Sequence, residues 1–524
     1  MERKWWTLMA VSVATFMLLL DITVVNTALP SIAKDLHATF NDLQWVIDAY
    51  TLALAAIVLT AGSLADRLGR RAVFAAGLAI FSVASLAAGL APDATFLNIS
   101  RAVEGIGGAA MFAVSLALVA QEFPAGRERG TAMAIYGATI GMSVAVGPLV
   151  GGAITDSLGW RWVFFINVPV GIAALATTYM KVRESRNPNA GRIDWLGLGT
   201  LSGGLFLLVL ALLRGNDAGW GSPQIIAEFG AAAALLAAFI AVERSVPDPM
   251  LPLGLFRRRA FTGVQLAAVG VSASLFALFL YLTLYLQDYL HNSPLQAGVR
   301  YLPITLGAFI AAPIAGVLLP RVQARVLMAV GLAGTGVGLV LMSGIDAGSS
   351  WTVLLPGFIV AGLAVGILNP VIADVALSVV PKERSGMAAG VNDTFRQVGV
   401  AVGTAAWGAV FLARGSGKVA TVLAGTPGAA AGRPRQLIEA LTGGHLAAAT
   451  QAIPHGAREL AVNATNQGFL SGLNAILLIG AVVAFVGAAL ALWLVREHEI
   501  ERDAPAEAAP EPLEADEVVE LLAA

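Results

Sequence analysis

Long apolar stretches, each ended by a short cluster of charges, prolines or glycines, repeat along almost the whole chain. A helix needs roughly 20 mostly apolar residues to cross the ~30 Å hydrocarbon layer of a membrane. The pattern predicts fourteen such helices, near 6–29, 45–65, 72–90, 97–120, 131–155, 161–181, 195–213, 223–243, 261–287, 297–319, 326–343, 352–374, 387–412 and 470–495. We therefore expect an all-α membrane protein.

The predicted helices fall into groups of six, two and six, which is the layout of transporters built from repeated halves. We assign 1–181 to an N-terminal six-helix bundle, 182–260 to an inserted helix pair with its flanking loops, and 261–495 to a C-terminal six-helix bundle. A long outer loop at 413–469 belongs to the second bundle, and its amphipathic sequence indicates a helical hairpin. Residues 496–524 are rich in Pro, Ala and Glu, which predicts a disordered acidic tail.

The distribution of lysine and arginine predicts the orientation, because these residues accumulate in cytoplasmic loops. With the N-terminus inside, the cytoplasmic segments contain 21 of the 32 basic residues and the short outer loops contain four. We therefore predict a multi-pass protein of the cytoplasmic (inner) membrane with both termini in the cytoplasm. The apolar run from Trp6 to Leu29 is too long for a cleavable signal peptide.

Composition narrows the function. Only 13% of the residues are charged, against about 25% in soluble domains, and cysteine is absent. The net charge of −2 argues against a nucleic-acid partner. No arrangement of nucleophile, base or metal ligands is present, so we expect neither an enzyme nor a metal site nor a cofactor. The segment GSGKV at 415–419 lacks the flanking residues of a phosphate-binding loop, so ATP is not the expected energy source.

Asp21 is the charge placed deepest in the first predicted helix, in the half nearer the outer surface. An ionisable residue in the hydrocarbon costs about 2.5–3.5 kcal/mol on insertion scales, which makes each one a functional candidate. A carboxyl group removed from water keeps a proton more readily, so Asp21 is expected to couple proton movement to transport and to bind substrate. Asn26 of the same helix is assigned to substrate binding. The alternative is a carboxylate that serves packing alone.

Four other polar residues of the predicted membrane helices are candidates for proton coupling or substrate binding. Arg101 and Glu104 are three residues apart, close enough for a same-face pair, and act either as a proton relay or as a structural ion pair. Asp48, about one turn from the outer face, is either an attraction point for cationic substrate in an outer vestibule or a solvated interfacial residue. Tyr50 is assigned to substrate binding with it.

Helix 13 contains a second polar cluster, formed by Asn392, Asp393 and Arg396. We assign Asn392 and Arg396 to substrate binding. The alternative is that Asp393 and Arg396 only neutralise each other.

Two glycine-containing motifs are candidates for conformational gating. GSLADRLGRR at 62–71 predicts a tight inner turn, in which an aspartate among arginines binds a neighbouring helix terminus or loop and so stabilises one conformation. The residues assigned to this latch are Gly62, Asp66, Arg67, Gly69, Arg70 and Arg71. The alternative is that the arginines only set the topology.

Helix 5 contains the second gating motif, GMSVAVGPLVGG. Small residues four positions apart allow close helix approach, and a proline in the helix favours a bend. The residues assigned to this motif are Gly141, Gly147, Pro148, Gly151 and Gly152. Close packing alone would explain the glycines, whereas a bend between bundles would serve a rocking transporter.

These motifs resemble those of the major facilitator superfamily, specifically its fourteen-helix drug:proton antiporter family. LDITVVNTALPSI at 20–32 resembles the helix 1 motif, ISRAVEGIGGAAM at 99–111 the helix 4 motif, and GATIGMSVAVGPLVGG at 137–152 the antiporter motif. WVIDAYTLALA at 45–55 is similar to the subset that exports quaternary ammonium compounds. In this family a glutamine is usual where Glu104 stands, and an adjacent carboxylate would hold Arg101.

The resemblance implies a major facilitator fold and a proton-coupled antiporter, driven by the proton motive force, that exports hydrophobic, often cationic, drugs, dyes or antiseptics by alternating access. Its partners would be small-molecule substrates, protons and membrane lipids, and the protein would be monomeric. Alternatives are an exporter of an endogenous natural product, lipid or siderophore, a solute-uptake symporter, and a membrane sensor without transport.

Overall fold

The computed structural model describes residues 2–123, 127–185, 194–246, 249, 251–319, 321–380, 385–424, 433–442, 446–451, 453 and 455–500. Some side chains inside helices, including that of Asp66, also lie outside the description. The first residues of the predicted disordered tail, 496–524, are ordered, since Glu497–Glu499 form a 3-10 turn whose carboxylates accept from Ala260 N and Arg325 N. From 501 onward the tail lies outside the described residues.

The described residues are almost entirely helical. The N-terminal part contains α1 (Arg3–Leu36), α2 (Phe40–Leu68), α3 (Arg70–Gly89), α4 (Ala94–Glu122), α5 (Arg127–Ser157), α6 (Trp162–Phe165) and α7 (Asn167–Lys181). The inserted pair is α8 (Trp195–Ala218) and α9 (Pro223–Ser245). The remainder contains α10 (Arg259–Ser274), α11 (Phe279–Leu284), α12 (Pro294–Leu318), α13 (Ala324–Met342), α14 (Leu355–Ser378), α15 (Ser385–Leu423), α16 (Pro434–Thr442), α17 (Leu446–Gln451) and α18 (His455–Leu494).

Short 3-10 turns and one π-helical turn complete the structure. The 3-10 turns are Leu253–Arg257, Phe276–Leu278, Trp351–Leu354 and Glu497–Glu499, and the π turn is Tyr285–Tyr289. The 3-10 turn between α10 and α11 and the π turn after α11 interrupt one long apolar span, Arg259–Tyr289. Interruptions of this kind often mark functional positions in a helix.

The number of membrane spans agrees broadly with the prediction. Twelve spans among the described residues are long and apolar enough to cross a membrane, and the two parts of α5 make a thirteenth if they form one bent span. Helix α2 has 29 residues, a length of about 43 Å, which is also sufficient. The full count of fourteen stays a prediction.

Local sequence explains where several helices begin. Thr39 and Asp42 form a capping box at the start of α2, in which Asp42 N donates to Thr39 Oγ1 (3.2 Å) and Thr39 N donates to Asp42 Oδ2 (2.8 Å). Ser293 and Gln296 form the same arrangement at the start of α12. These caps satisfy amides that have no partner inside their helix.

The N-terminus lies beside the ends of two other helices. Arg3 Nε donates to the carbonyl of Lys181 (2.6 Å), and Lys4 Nζ lies 2.9 Å from Glu128 Oε2. We call this end of the molecule the inner end, following the charge prediction, and the opposite end the outer end.

Contacts between the two halves are found toward the outer end. Gln44 Nε2 donates to the carbonyl of Thr404 (3.1 Å), and Gln287 Nε2 donates to the carbonyl of Thr27 (2.7 Å). The ring of Phe40 in α2 stacks on Phe411 in α15, with centroids 6.0 Å apart. The outer ends of the two halves are therefore joined in this conformation.

The long loop predicted at 413–469 is largely helical, which corrects its boundaries. Helix α15 continues to Leu423 and α18 begins at His455, and Val419 and Leu423 are buried. Between them lie α16 and α17, which agree with the predicted hairpin. The sequence-based boundary at 412 was too early because the buried apolar face of α15 continues to Leu423, and α16 packs against α15.

Candidate functional site

Arg101 of α4 binds two buried carboxylates at once. Its Nη1 lies 2.6 Å from Asp21 Oδ2 of α1 and 2.6 Å from Glu104 Oε2. Its Nε donates to the carbonyl of Val46 in α2 (3.1 Å). The side chains of Asp21 and Glu104 are completely buried and that of Arg101 is 2% exposed. The three predicted coupling residues thus form one contiguous group, which we call the charged triad.

Aromatic and polar side chains surround the charged triad. The guanidinium carbon of Arg101 lies 4.3 Å from the centroid of the Tyr50 ring, a cation–π distance. Asn167 of α7 donates through Nδ2 to Asp21 Oδ1 (3.0 Å) and to Ser85 Oγ (3.0 Å). Four helices, α1, α2, α4 and α7, therefore position the triad.

The sequence did not indicate that Asn167 and Ser85 lie beside the charged triad. Asn167 stands in the apolar run VFFINVPVG, where one uncharged polar residue is a weak signal. Ser85 donates to the carbonyl of Phe164 (3.1 Å), at the break between α6 and α7. Their role arises from tertiary packing, which brings residues 146 positions apart into contact in the case of Asn167 and Asp21.

The charges of the triad do not balance when both carboxyl groups are ionised. One arginine against two carboxylates leaves one net negative charge, and an uncompensated buried charge is costly. A proton on either carboxyl group restores neutrality. One further acceptor, Glu104 Oε1, has no hydrogen-bond partner among the described residues.

The depth of Asp21 agrees with its predicted position, whereas that of Arg101 does not. Asp21 lies just past the middle of α1, in the half toward the outer end, although α1 extends from Arg3 to Leu36. Arg101 is seven residues after the start of α4, about two turns rather than one. The apolar pattern placed the helix ends too far inward, since polar residues at both ends continue the helices.

Asn26 lies outside this group. Its Nδ2 donates to the carbonyl of Ile22 in its own helix (3.0 Å), and the side chain is partly buried. Its assignment to substrate binding stays a prediction.

Asp48 is not at an open outer vestibule. Its side chain is completely buried, more than two turns into α2, and neither carboxylate oxygen has a hydrogen-bond partner among the described residues. The expected interfacial position was wrong, because α2 begins at Phe40 and the second half covers this face.

The polar cluster of the second half is held by amide side chains. Arg396 donates through Nε to Asn392 Oδ1 (3.2 Å) and through Nη1 to Asn369 Oδ1 (2.9 Å). Asn392 Nδ2 donates to Gln265 Oε1 (3.0 Å). Asp393 Oδ2 is buried and has no hydrogen-bond partner among the described residues. Asn369 and Gln265 were not identified from the sequence, since each lies on a different helix from Arg396.

The turn between α2 and α3 has a partner that the sequence did not indicate. Gly69 has φ of 116°, a conformation that favours glycine, as predicted for a tight turn. Glu184 accepts hydrogen bonds from the amides of Arg71 (3.1 Å) and Ala72 (3.2 Å), and Arg70 N donates to the carbonyl of Ser185 (2.9 Å). An acidic residue therefore does bind a helix N-terminus here, but it is Glu184 at the start of the connection to the inserted pair.

The other residues of the 62–71 motif give little evidence for the predicted latch. The side chain of Asp66 lies outside the described residues, so its predicted latch is untested. A Cβ on Gly62 would meet Ala113 at an ordinary 3.8 Å, so this position does not require glycine for space. Arg67 is partly buried near the end of α2.

The helix 5 motif lies at the crossing of α5 with α1 and α12. A Cβ at Gly147 would collide with Thr23, and one at Gly151 with Val24. A Cβ at Gly152 would come within 3.0 Å of Leu295 Cα in α12. Glycine is therefore needed at all three positions, whereas a Cβ at Gly141 would meet nothing within 4 Å.

Pro148 accompanies a bend in α5. The parts Ile135–Ser143 and Val146–Ser157 differ in direction by 46°. Pro148 cannot donate to the carbonyl four residues earlier, at the point where the two parts meet. The backbone of Pro148 also faces Gly298 of α12, where an added Cβ would lie 3.1 Å from Leu149 Cα. The bend thus occurs in the helix that contacts the other half.

The chain is similar to resistance proteins of Streptomyces species. The chain is 39% identical over 408 residues to the puromycin resistance protein pur8 of Streptomyces alboniger, covering 77% of this chain and 81% of that protein. It is 33% identical over 508 residues to the tetracenomycin C resistance and export protein of Streptomyces glaucescens, covering 96% and 94%.

A solved structure shares the fold. A bacterial homologue of the human lysosomal transporter Spinster, in an inward-facing and unoccupied conformation, aligns with a TM-score of 0.61 at 18% identity, covering 96% of this chain and 99% of that one. The family model of the Major Facilitator Superfamily matches residues 11–404. The chain therefore belongs to the Major Facilitator Superfamily and is a multi-pass membrane transporter.

Proposed function

We propose that this protein exports hydrophobic, often cationic, drug-like molecules across the cytoplasmic membrane in exchange for protons. The observation that carries the proposal is the buried charged triad, in which one arginine faces two carboxyl groups. The names of two relatives, a puromycin resistance protein and a tetracenomycin C resistance and export protein, support export of small molecules.

Proton exchange follows from the charge balance of the triad. With both carboxyl groups ionised, the site has one net negative charge and favours a cation in the central space between the halves. A proton arriving from the outer side neutralises the site and removes that attraction. Competition between proton and cargo couples the two fluxes without any covalent step.

Alternating access would come from rocking of the two halves. We propose 1–181 and 261–495 as the rocking bundles, with both termini in the cytoplasm and with the 62–71 turn and the helix 5 motif as gating elements. The outer contacts at Gln44, Gln287 and Phe40 support a state closed toward the outside. The crossing of α5 and α12 is a close contact about which the halves turn.

The test uses purified protein in liposomes with an imposed pH gradient. Asp21→Asn removes the ionisable group but keeps the shape and a hydrogen bond to Arg101. We expect it to abolish proton-driven movement of a cationic dye, because the neutral site no longer exchanges a proton. Asp156→Asn, on the exposed surface of α5, is the matched control and should behave as the wild type.

Two results would contradict the proposal. One is coupled transport by Asp21→Asn at the wild-type rate. The other is wild-type dye movement that is equally fast with and without the gradient.

Export of a compound made by the producing cell is the second candidate function. One relative, aligned over 96% of this chain, combines resistance with export of tetracenomycin C in its name. A drug-susceptibility panel in an efflux-deficient host distinguishes the two. Protection against one chemical class favours a dedicated route, and protection against unrelated cations favours broad export.

A further inference from the structure

Helix α8 of the inserted pair packs against both halves, with α2 on one side and α15 on the other. Its buried face joins a small apolar cluster, separate from the main core of the described residues, formed by Leu52, Val209, Ala401 and Ala405. Trp45 and Leu212 pack against this cluster. The inserted pair therefore contributes side chains to the junction between the halves.

The depth of these α8 side chains follows from a second contact. Ser202 Oγ donates to the carbonyl of Ala56 in α2 (2.5 Å). The two helices run in opposite directions, and each rises ~1.5 Å per residue. Val209, seven residues after Ser202, thus lies level with the α2 residue seven before Ala56, immediately beside Asp48. By the same geometry Leu212 lies level with Trp45, in agreement with their shared cluster.

Asp48 faces the same junction. Gln44, one turn toward the outer end, donates to the carbonyl of Thr404 in α15, and Leu52, one turn toward the inner end, belongs to the apolar cluster. Asp48 lies between them on the same face of α2. Its two oxygens have no hydrogen-bond partner among the described residues, and a buried polar group without a partner is costly. The position is therefore suited to a positive charge that the described side chains do not supply.

We propose that α8 forms the apolar wall of a binding groove for organic cations, with Asp48 as the anionic end. The positively charged atom of the cargo lies near Asp48, and its apolar body contacts Trp45 and Leu212. The groove opens when α15 withdraws from α2, while α8 stays on α2 through the Ser202 contact. The inference rests on the proposed export function and adds the side chains that select cargo by size, away from the charged triad.

The size of the α8 wall can be changed at one position. Leu212→Ala widens the groove and Leu212→Trp narrows it. We compare two permanent cations in liposomes with an imposed pH gradient, the small tetrapropylammonium and the larger tetraphenylphosphonium. The ratio of kcat/KM for the larger over the smaller cation should rise about tenfold in Leu212→Ala and fall in Leu212→Trp, since a change of a few carbons in an apolar pocket has effects of this size.

The matched controls are on the same helix. Leu196 is 70% exposed on α8, so Leu196→Ala and Leu196→Trp make the same chemical changes outside the groove and should leave the ratio unchanged. The amount of monodisperse purified protein reports folding of each variant. If Leu212→Trp does not fold, Leu212→Ala still gives the comparison.

Binding to detergent-purified protein separates this inference from the export proposal. Asp48→Asn should weaken binding of both cations at least about tenfold, as expected for loss of a buried charge pair, and Leu212→Ala should change their relative affinity. Wild-type transport with the same cation ratio in the Leu212 and Leu196 variants overturns the groove but leaves export standing. Absence of proton-driven transport in the wild type contradicts the export proposal. In that case the binding measurements alone decide whether the groove exists.

Discussion

Asp21, Arg101 and Glu104 stand out in the sequence because each is a charge in an apolar helix. Their mutual contact does not, since Asp21 and Arg101 are 80 positions apart. Asn167 and Glu184 were not predicted at all, because an asparagine in a helix and a glutamate in a loop have many ordinary uses. Residue type thus identified the three charges of the triad, and only the fold identified Asn167 and Glu184.

The two carboxylates of the charged triad are expected to contribute unequally, which a change at Glu104 tests. Glu104→Gln removes a charge, and the glutamine oxygen still accepts from Arg101 Nη1. Cation movement should persist at a reduced rate, because the ~1 kcal/mol hydrogen bond to Arg101 is kept while the negative charge that favours the cation is lost. The triad then has no net charge with Asp21 ionised, so the number of protons exchanged per cation should fall.

Simultaneous measurement of proton and cation fluxes in liposomes gives this number. Glu104→Ala is the control, since it removes both the charge and the hydrogen bond. An inactive Glu104→Gln with normal purified yield would show that Glu104, rather than Asp21, is the obligatory proton carrier.

At the scale of elements, the apolar pattern located the helices but not their ends. Helix α1 extends three residues before and seven after the predicted 6–29, because Lys34 and other polar residues continue the helix past the apolar run. The interrupted span from Arg259 to Tyr289 was read as one helix, since its uniform apolar composition does not reveal the 3-10 and π turns. The spacing of glycines in α5 predicted close packing, whereas the partner, Gly298 of α12, emerged only from the fold.

The crossing of α5 and α12 can be tested at Gly152. Gly152→Val places side-chain atoms against the backbone of Leu295, where a Cβ alone lies only 3.0 Å from Cα. Overpacking of this kind costs typically 1–3 kcal/mol, so the closed state at this crossing should become about tenfold less populated. Because the crossing is in the outer part of the molecule, the outer side should open more often.

Labelling of an introduced cysteine at Gln44 by a membrane-impermeant thiol reagent measures this opening, since the chain has no cysteine of its own. Gly141→Val is the matched control, because a Cβ at Gly141 meets nothing within 4 Å. Equal labelling rates in both variants would show that the crossing does not govern outer closure.

At the scale of the whole molecule, the helix grouping and the motifs indicated the superfamily before the fold was known. The sequence did not predict that the halves are joined at the outer end. The states of a transporter differ in how the halves contact each other, and one sequence adopts all of these states. In this structure Lys34 of the first half lies 3.6 Å from Asp288 of the second, across the outer end. Asp288 lies in the π turn next to Gln287, which donates to the carbonyl of Thr27. The π turn thus directs two side chains to the opposite half.

This outer contact must break in every transport cycle if the halves rock as proposed, and covalent linkage tests that requirement. Lys34→Cys combined with Asp288→Cys, joined by a short bis-methanethiosulfonate that forms a disulfide with each cysteine, should abolish transport, and a reductant that cleaves these disulfides should restore it. Asp35 and Arg161 form an ion pair within the first half, so Asp35→Cys with Arg161→Cys is a matched control that stays active when joined. The halves move as bodies in the rocking model, so linkage within one half leaves the motion free and linkage between halves stops it. Continued transport by the joined Lys34 and Asp288 variant would mean that cargo leaves without separation of the outer ends.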